Sequence, residues 1–190
     1  MLRVGITGID GFIGWHMRAF LYPQSEVQVI GANRDTFASR EKLTDFVLQC
    51  DVIVHCAGMN RGEDKEVVNT NIKLVDDLIA SCQLVEHRPH IIFTSSSHIF
   101  RDTLYGHSKR VCTEKFQNWS KQTGAYFTNM VLPNVFGEFG RPFYNSAVST
   151  FCYQLANNQQ PEIIHDGNLE LVYVQTVASK IFPSWIISGC

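Results

Sequence analysis

A strand-like run near the N-terminus is followed by Thr7-Gly8-Ile9-Asp10-Gly11-Phe12-Ile13-Gly14 and then by a helical pattern. Glycine at position 8 allows a tight turn from strand to helix, and Gly11 lets the backbone approach a pyrophosphate. Gly14 lets the helix pack closely on the strand. Because the N-terminus of a helix attracts phosphate groups, this stretch predicts a dinucleotide-binding turn. Its spacing is G-x-x-G-x-x-G rather than G-x-G-x-x-G, and a glycine turn without a ligand is the alternative.

Apolar strand-like runs alternate with helical patterns along the chain, which is typical of a parallel sheet covered by helices. The predicted strands are Leu2–Thr7, Val27–Ala32, Asp51–Cys56, His90–Thr94, Tyr126–Val131 and Leu169–Val174. The predicted helices are Gly14–Leu21, Arg40–Gln49, Lys65–Val85, Tyr105–Thr123 and Ser146–Asn157. No strand pattern lies between Ala32 and Arg40, so the sheet edge is expected to lack one strand. The fold class is α/β, a Rossmann-like doubly wound parallel sheet.

Composition excludes several classes of protein. The 190 residues are 45% hydrophobic, and the 16 basic and 18 acidic side chains are interspersed, giving a net charge of −2. This pattern argues against nucleic-acid and membrane partners, and the apolar runs are too short to span a bilayer. The strand pattern at the N-terminus leaves no room for a signal peptide. The cysteines lack C-x-x-C spacing, which predicts no metal site and reduced thiols in a cytoplasmic protein.

A second motif, Tyr105-Gly106-His107-Ser108-Lys109, lies on a predicted helix. Residues four apart share one helix face, so the Lys109 ammonium is expected to lower the pKa of Tyr105. Tyr105 could then give a proton to a carbonyl oxygen as hydride reaches the carbon, while Lys109 holds the nicotinamide ribose. His107 is interpreted as solvated or orienting rather than as a base.

A serine run ends the strand before this helix. A hydroxyl beside Tyr105 would stabilise the developing oxyanion, and Ser96 is the first choice with Ser97 second. His98 follows directly and is again interpreted as an orienting or solvated side chain. The combination of glycine turn, serine, tyrosine and lysine predicts a nicotinamide-dependent oxidoreductase.

The end of the second strand reads Ala32-Asn33-Arg34-Asp35. Arg34 could pair with a 2′-phosphate in bidentate fashion, which favours NADP. Asp35 points weakly towards NAD, and a solvated loop charge is the alternative interpretation of Arg34. NADP is therefore the predicted cofactor, with NAD less favoured.

These motifs resemble the extended short-chain dehydrogenase/reductase superfamily, the NAD-dependent epimerases and dehydratases. A closer resemblance is to the CapF-type capsular polysaccharide UDP-4-keto-sugar reductases and their O-antigen counterparts. It is carried by His55-Cys56-Ala57-Gly58-Met59-Asn60-Arg61, Tyr105 to Lys109, Leu132-Pro133-Asn134-Val135-Phe136-Gly137, Tyr144-Asn145-Ser146 and Thr150-Phe151-Cys152-Tyr153.

The resemblance implies NADPH-dependent reduction of a 4-keto UDP-N-acetyl-deoxyhexose. The residues it implies for catalysis are Tyr105, Lys109 and Ser96. Those for the cofactor are Gly8, Gly11, Phe12, Ile13, Gly14, Arg34, Ala57, Asn71 and Lys109. Those for the nucleotide-sugar are Ser97, Asn134 and Asn145. A homodimer through the helices Lys65–Val85 and Tyr105–Thr123 is also implied.

The C-terminal part departs from that family. Residues 1–165 are expected to form the NAD(P)-binding domain, and residues 166–190 only the start of a substrate-binding domain. An acid pair usual after the late strand is replaced by Tyr173-Val174-Gln175-Thr176-Val177. The chain is therefore interpreted as a truncated copy with exposed apolar surface. The alternatives are an NAD-dependent nucleotide-sugar epimerase or dehydratase and an inactive cofactor-binding remnant.

Overall fold

Five parallel strands form the central sheet, in the order β2-β1-β3-β4-β5. The computed structural model describes residues 1–163 and 167–182. The strands are β1 (Leu2–Thr7), β2 (Val27–Ala32), β3 (Val52–His55), β4 (His90–Ser96) and β5 (Phe127–Leu132). The predicted α/β doubly wound fold is confirmed, and each of these strands begins and ends within two residues of its predicted bounds.

Helices cover both faces of the sheet. Helices α3, α4 and α5 cover one face, and α1 and α7 the other. The helices are α1 (Phe12–Leu21), α2 (Arg34–Phe37), α3 (Arg40–Leu48), α4 (Asp64–Leu84), α5 (Leu104–Thr123), α6 (Ala147–Ala156) and α7 (Val174–Ile181). In the described residues, none of these helices has the length and apolar character needed to cross a membrane.

The sheet is buried because its side chains alternate between two apolar layers. Ile53, Ile91 and Phe93 point into a core shared with α3, α4 and α5. Val54 and Ile92 point to the other face, where α1 and α7 cover them. Burying each such side chain contributes about 1.5–3 kcal/mol, so the sheet is held from both sides.

The segment after β2 folds into the short helix α2, which the sequence analysis did not predict. The Asn33 side chain accepts from the Thr36 amide at 3.2 Å, and the Thr36 hydroxyl accepts from the Asn33 amide at 3.2 Å. This reciprocal cap stabilises a helical turn where an edge strand would otherwise stand. The prediction that this edge lacks a strand is confirmed for the described residues, where β2 is the outermost strand.

A second, two-stranded parallel sheet pairs β6 (Asn134–Phe136) with β7 (Leu171–Tyr173). Strand β7 is shorter than predicted because Val174 already begins α7. Helix α7 packs on α1, and its apolar face joins the core that contains Met17 and Leu21. The predicted domain boundary between residues 165 and 166, and the stretch 183–190, lie outside the described residues.

Large apolar side chains are exposed along residues 139–171, as the sequence analysis expected. Helix α6 has no buried residue. The exposed side chains of this segment are Phe139, Phe143, Tyr153, Leu155, Ile163, Leu169 and Leu171.

Replacement of Gly14 by alanine should destabilise the chain. A Cβ on Gly14 would overlap the Gly8 carbonyl oxygen and approach the Ile9 Cα to 2.9 Å, and neither backbone group can rotate away. We expect the free energy of unfolding to fall by about 1–3 kcal/mol despite the better helix propensity of alanine. Urea unfolding without added ligand measures this. Gly167→Ala is the control, because no atom of the described residues other than its chain neighbours lies within 4 Å of its Cβ position. Equal stability of both variants would contradict the predicted backbone contact.

Candidate functional site

A crevice opens where the strand order reverses, between the carboxyl ends of β1 and β3. The chain passes from β1 to β2 on one side and then returns to β3 on the other, which makes this the switch point of the sheet. Gly8 has φ +65°, and a Cβ there would lie 2.9 Å from the Ala57 Cα and amide nitrogen. The Ala57 amide donates to the Thr7 hydroxyl at 3.1 Å. The glycine turn and the loop that carries Ala57, both predicted to bind the cofactor, are therefore in direct contact.

The glycine turn presents backbone donors to this crevice. Gly11 is the N-cap of α1, and no side chain caps the helix. The amides of Phe12 and Ile13 in its first turn therefore remain for a ligand. A Cβ on Gly11 would come within 3.1 Å of the Gly8 carbonyl oxygen, so the turn depends on the absence of side chains. This glycine turn before an uncapped helix N-terminus fits the pyrophosphate of a dinucleotide.

The end of β2, where the sequence predicts the ribose site, is bonded to the glycine turn. The Gly8 amide donates to the Ala32 carbonyl oxygen at 2.9 Å. Arg34, two residues later, is exposed in the first turn of α2. No ion pair to Arg34 occurs in the ranges 1–163 and 167–182. Its guanidinium therefore lies at the end of β2 with no carboxylate partner in those ranges.

Helix α5, which carries Tyr105 and Lys109, begins at Leu104, after Thr103 caps it by accepting from the Gly106 amide at 3.0 Å. Lys109 is 7% exposed and its ammonium donates to the Thr94 carbonyl oxygen at 3.1 Å. The same ammonium lies 4.6 Å from the Phe93 ring centroid and 5.8 Å from that of Tyr105. The structure thus brings the predicted tyrosine and lysine together beside the end of β4.

The expected lowering of the Tyr105 pKa by Lys109 is wrong for this structure. Burial raises the pKa of Tyr105, and the neighbouring Ser96 hydroxyl opposes that shift. Burial is the largest influence on the pKa of Tyr105, and the Lys109 ammonium donates to the Thr94 carbonyl oxygen rather than to the phenol. Burial in turn lowers the pKa of Lys109 to about 8.

Ser96 ends β4, and its side chain accepts a hydrogen bond from the His98 amide at 3.3 Å. This contact caps a 3-10 turn, Ser97–Phe100, that the sequence analysis did not predict. The turn brings the His98 ring to 5.5 Å from the Tyr105 ring, edge to face. Ser97 begins the turn, and its role in substrate binding stays a prediction.

Asn71 is buried on α4 and fixes the loop after β3. Its side chain accepts from the Met59 amide at 2.7 Å and donates to the Met59 carbonyl oxygen at 2.9 Å. It also donates to the Ser108 hydroxyl at 3.3 Å. Asn71 therefore connects the loop that carries Ala57 to Ser108 of α5, the residue before Lys109.

His55 has a structural role that the sequence analysis missed. It is buried, its Nδ1 lies 2.8 Å from the Thr7 hydroxyl, and its Nε2 has no hydrogen-bond partner. Burial, and secondarily the charge of Lys109, lowers the pKa of His55 to about 3, so the ring is neutral. The signal was available, because His55 is polar and directly follows the buried run of β3.

A cavity of about 530 Å³ is lined in part by His98, whose ring contacts the Tyr105 ring. Its lining residues are Arg61, His98, Phe143, Tyr144, Asn145, Ser146, Ala147 and Thr150. Asn145, predicted to bind substrate, lies in this wall. Asn134 does not line it, since its amide and side chain donate to the Glu170 carbonyl oxygen at 3.1 and 3.4 Å. Sequence reasoning missed Arg61 and His98 as cavity residues.

Known proteins resemble this chain in sequence and in structure. It is 32% identical over 178 residues, 93% of this chain and 47% of the relative, to the UDP-2-acetamido-2,6-beta-L-arabino-hexul-4-ose reductase of Pseudomonas aeruginosa. The capsular polysaccharide assembling protein CapF of Staphylococcus aureus is 28% identical, with a TM-score of 0.78 over 99% of this chain and 49% of CapF. The chain therefore spans about half the length of these relatives.

A more distant structure shares the fold alone. UDP-glucuronic acid 4-epimerase of Bacillus cereus, solved in complex with NAD, has a TM-score of 0.84 at 17% identity, covering 97% of this chain and 74% of that one. The profile of the NAD dependent epimerase/dehydratase family matches residues 4–182, which include the glycine turn and the tyrosine–lysine pair. The chain belongs to the NAD dependent epimerase/dehydratase family.

Proposed function

We propose that this chain carries the reductase half of a nucleotide-sugar pathway enzyme, reducing a 4-keto UDP-N-acetyl-deoxyhexose with NADPH in capsule or O-antigen synthesis. The observation that carries the proposal is the meeting of Tyr105, Lys109 and Ser96 beside the glycine turn. The 32% identical relative is a keto-sugar reductase, which supports the same reaction class.

The cofactor would lie in the crevice at the carboxyl ends of β1 and β3, where both backbone amides and side chains can bind it. The amides of the glycine turn, Gly8 to Gly14, would bind its pyrophosphate, and Ala57 would line the pocket that Asn71 fixes. Arg34 would bind the 2′-phosphate of NADPH. Bound there, NADPH supplies the hydride for the carbonyl carbon.

The side chains of the site would donate the proton and stabilise the negative charge that develops on the substrate carbonyl oxygen. Because burial raises the pKa of Tyr105, its phenol stays protonated at neutral pH and can donate when charge develops on the substrate oxygen. Ser96 would donate a second hydrogen bond to that oxygen. Lys109 would hold the nicotinamide ribose and keep a positive charge near the developing phenolate.

One alternative rests on a specific observation. The chain spans about half the length of its relatives, and large apolar side chains are exposed along residues 139–171. A cofactor-binding remnant without turnover would have the same features. A homodimer through α4 and α5 and a cytoplasmic location stay predictions.

Tyr105→Phe tests the proposed chemistry. Loss of the proton donor should lower turnover of a 4-keto UDP-N-acetyl-deoxyhexose by roughly 100-fold or more. NADPH binding, followed by thermal unfolding with and without ligand, should be unchanged. His107→Gln, an exposed change on the same helix, is the control and should keep full activity. Wild-type protein that binds NADPH and reduces no 4-keto nucleotide-sugar would instead favour the remnant.

Arg34→Gln tests the cofactor preference. Removing the guanidinium should weaken NADPH binding by about tenfold or more and leave NADH binding unchanged, since only NADPH carries the 2′-phosphate. Titration calorimetry with both cofactors measures the difference. Arg40→Gln, at the exposed start of α3, should change neither affinity. Equal binding of the two cofactors by the wild type would overturn the preference for NADP.

Lys109 should make stability depend on pH. Its folded-state pKa of about 8 lies below its ordinary value of 10.5, so between these pH values the unfolded chain binds more protons. The free energy of unfolding should therefore rise with pH in this window, by about 3 kcal/mol in all, at 1.36 kcal/mol per pKa unit. Below about pH 8 both states are protonated and Lys109 contributes no slope.

The measurement is urea unfolding of the wild type and Lys109→Met at several pH values. Methionine fills the buried space without titrating, so the stability of the wild type relative to this variant should increase from about pH 8 to 10.5. Lys121→Met, which removes an exposed lysine from the same helix, controls for the loss of a lysine as such. Parallel pH profiles for wild type and Lys109→Met would contradict the burial of this ammonium.

A further inference from the structure

The cavity beside Tyr105 is rich in hydrogen-bond donors. Its described lining contains one cation, Arg61, and no carboxylate. His98 stands at the end next to Tyr105, where its ring contacts the tyrosine ring. The first residues of α6 belong to the same wall as Arg61. This distribution of charge fits an anionic ligand.

Arg61 is held in place by three contacts with the segment that leads into α6. Its Nε donates to the Asn145 Oδ1 at 3.1 Å, and its Nη1 donates to the Phe143 carbonyl oxygen at 3.3 Å. Its guanidinium carbon lies 5.0 Å from the centroid of the Tyr144 ring. None of these partners carries a negative charge, so the charge of Arg61 is positioned but not neutralised.

The bonds also leave donors unused. A guanidinium has five N–H groups, and these contacts use the Nε and Nη1 side of Arg61. Asn145 accepts through its oxygen, so its NH₂ group stays a donor. Within the described ranges Arg61 forms no ion pair. Two neighbouring donor groups, one of them charged, thus share one wall of the cavity.

The loop that carries Arg61 is fixed by hydrogen bonds to the two residues before it, Met59 and Asn60. The Met59 backbone is bonded twice by Asn71, and the Tyr144 hydroxyl donates to the Asn60 side chain at 3.0 Å. Arg61 therefore reaches from the loop after β3, which carries Ala57, to the segment before α6. The site needs little rearrangement to present its charge.

We propose that Arg61 is the residue that binds the diphosphate of the nucleoside diphosphate-sugar, with the Asn145 amide as a second donor. The inference rests on the proposed function and adds a residue to its substrate site. A planar guanidinium matches phosphate oxygens in bidentate geometry, and its charge offsets that of the diphosphate. With the diphosphate at Arg61, the sugar extends along the cavity towards His98 and Tyr105.

Arg141 provides a matched control. Its guanidinium carbon lies 5.3 Å from the centroid of the same Tyr144 ring, and the residue is exposed. It does not line the cavity. Arg61→Gln and Arg141→Gln therefore each remove one positive charge near the Tyr144 ring, but only the first removes a donor from the cavity lining.

The experiment is titration calorimetry of UDP and of uridine into the full chain, saturated with NADPH so that the cofactor crevice is filled. We expect Arg61→Gln to weaken UDP binding about tenfold or more while leaving uridine binding unchanged. Arg141→Gln should keep UDP affinity within about twofold of the wild type, because long-range charge effects are screened by salt.

Any of three results overturns the inference. The first is equal UDP affinity in wild type and Arg61→Gln, and the second is an equal loss of affinity in both arginine variants. The third is a wild type that binds NADPH but not UDP. Failure of the wild type to bind NADPH is a different result and overturns the proposed function itself. An unchanged thermal shift with NADPH in Arg61→Gln shows that the variant is folded.

Discussion

A series of buried hydrogen bonds joins the carboxyl ends of β1, β3 and β4 to helix α5. The geometry of the candidate site depends on these bonds. The Lys109 ammonium bonds the Thr94 carbonyl, the Thr94 hydroxyl bonds the His55 carbonyl at 3.0 Å, and the His55 ring bonds the Thr7 hydroxyl. That hydroxyl also accepts from the Ala57 amide. Because buried polar groups must be paired, moving any strand relative to its neighbour would leave several of them unsatisfied.

The same burial sets the charges of the site. It raises the pKa of Tyr105 and lowers those of Lys109 and His55. A protonated phenol, a neutral imidazole and an ammonium with a pKa near 8 thus occupy one edge of the sheet. The raised pKa keeps the Tyr105 phenol protonated at neutral pH, so it still holds its proton when a carbonyl begins to accept charge, whereas the tyrosine–lysine spacing had predicted a lowered pKa.

Sequence reasoning succeeded where structure is set by local patterns. The strands of the main sheet are continuous apolar runs, and the long helices α4 and α5 carry clear periodicity, so they were predicted closely. It failed for α2, whose cap is a single reciprocal Asn33–Thr36 contact, and for β6 and α7. Strand β6 exists because it pairs with a segment far along the chain, and α7 because it packs on α1.

The sequence by itself determined the fold class, the glycine turn and the shared face of Tyr105 and Lys109, because each follows from the spacing of nearby residues on one element. Only the tertiary structure decided which way the Lys109 ammonium points and which protonation states burial favours, since both depend on neighbours from other strands. It also decided that Arg61 meets Asn145, 84 residues later in the chain, and so places an unneutralised charge in the cavity. Spacing cannot show such a contact, because the intervening elements must first pack before the two side chains come within reach.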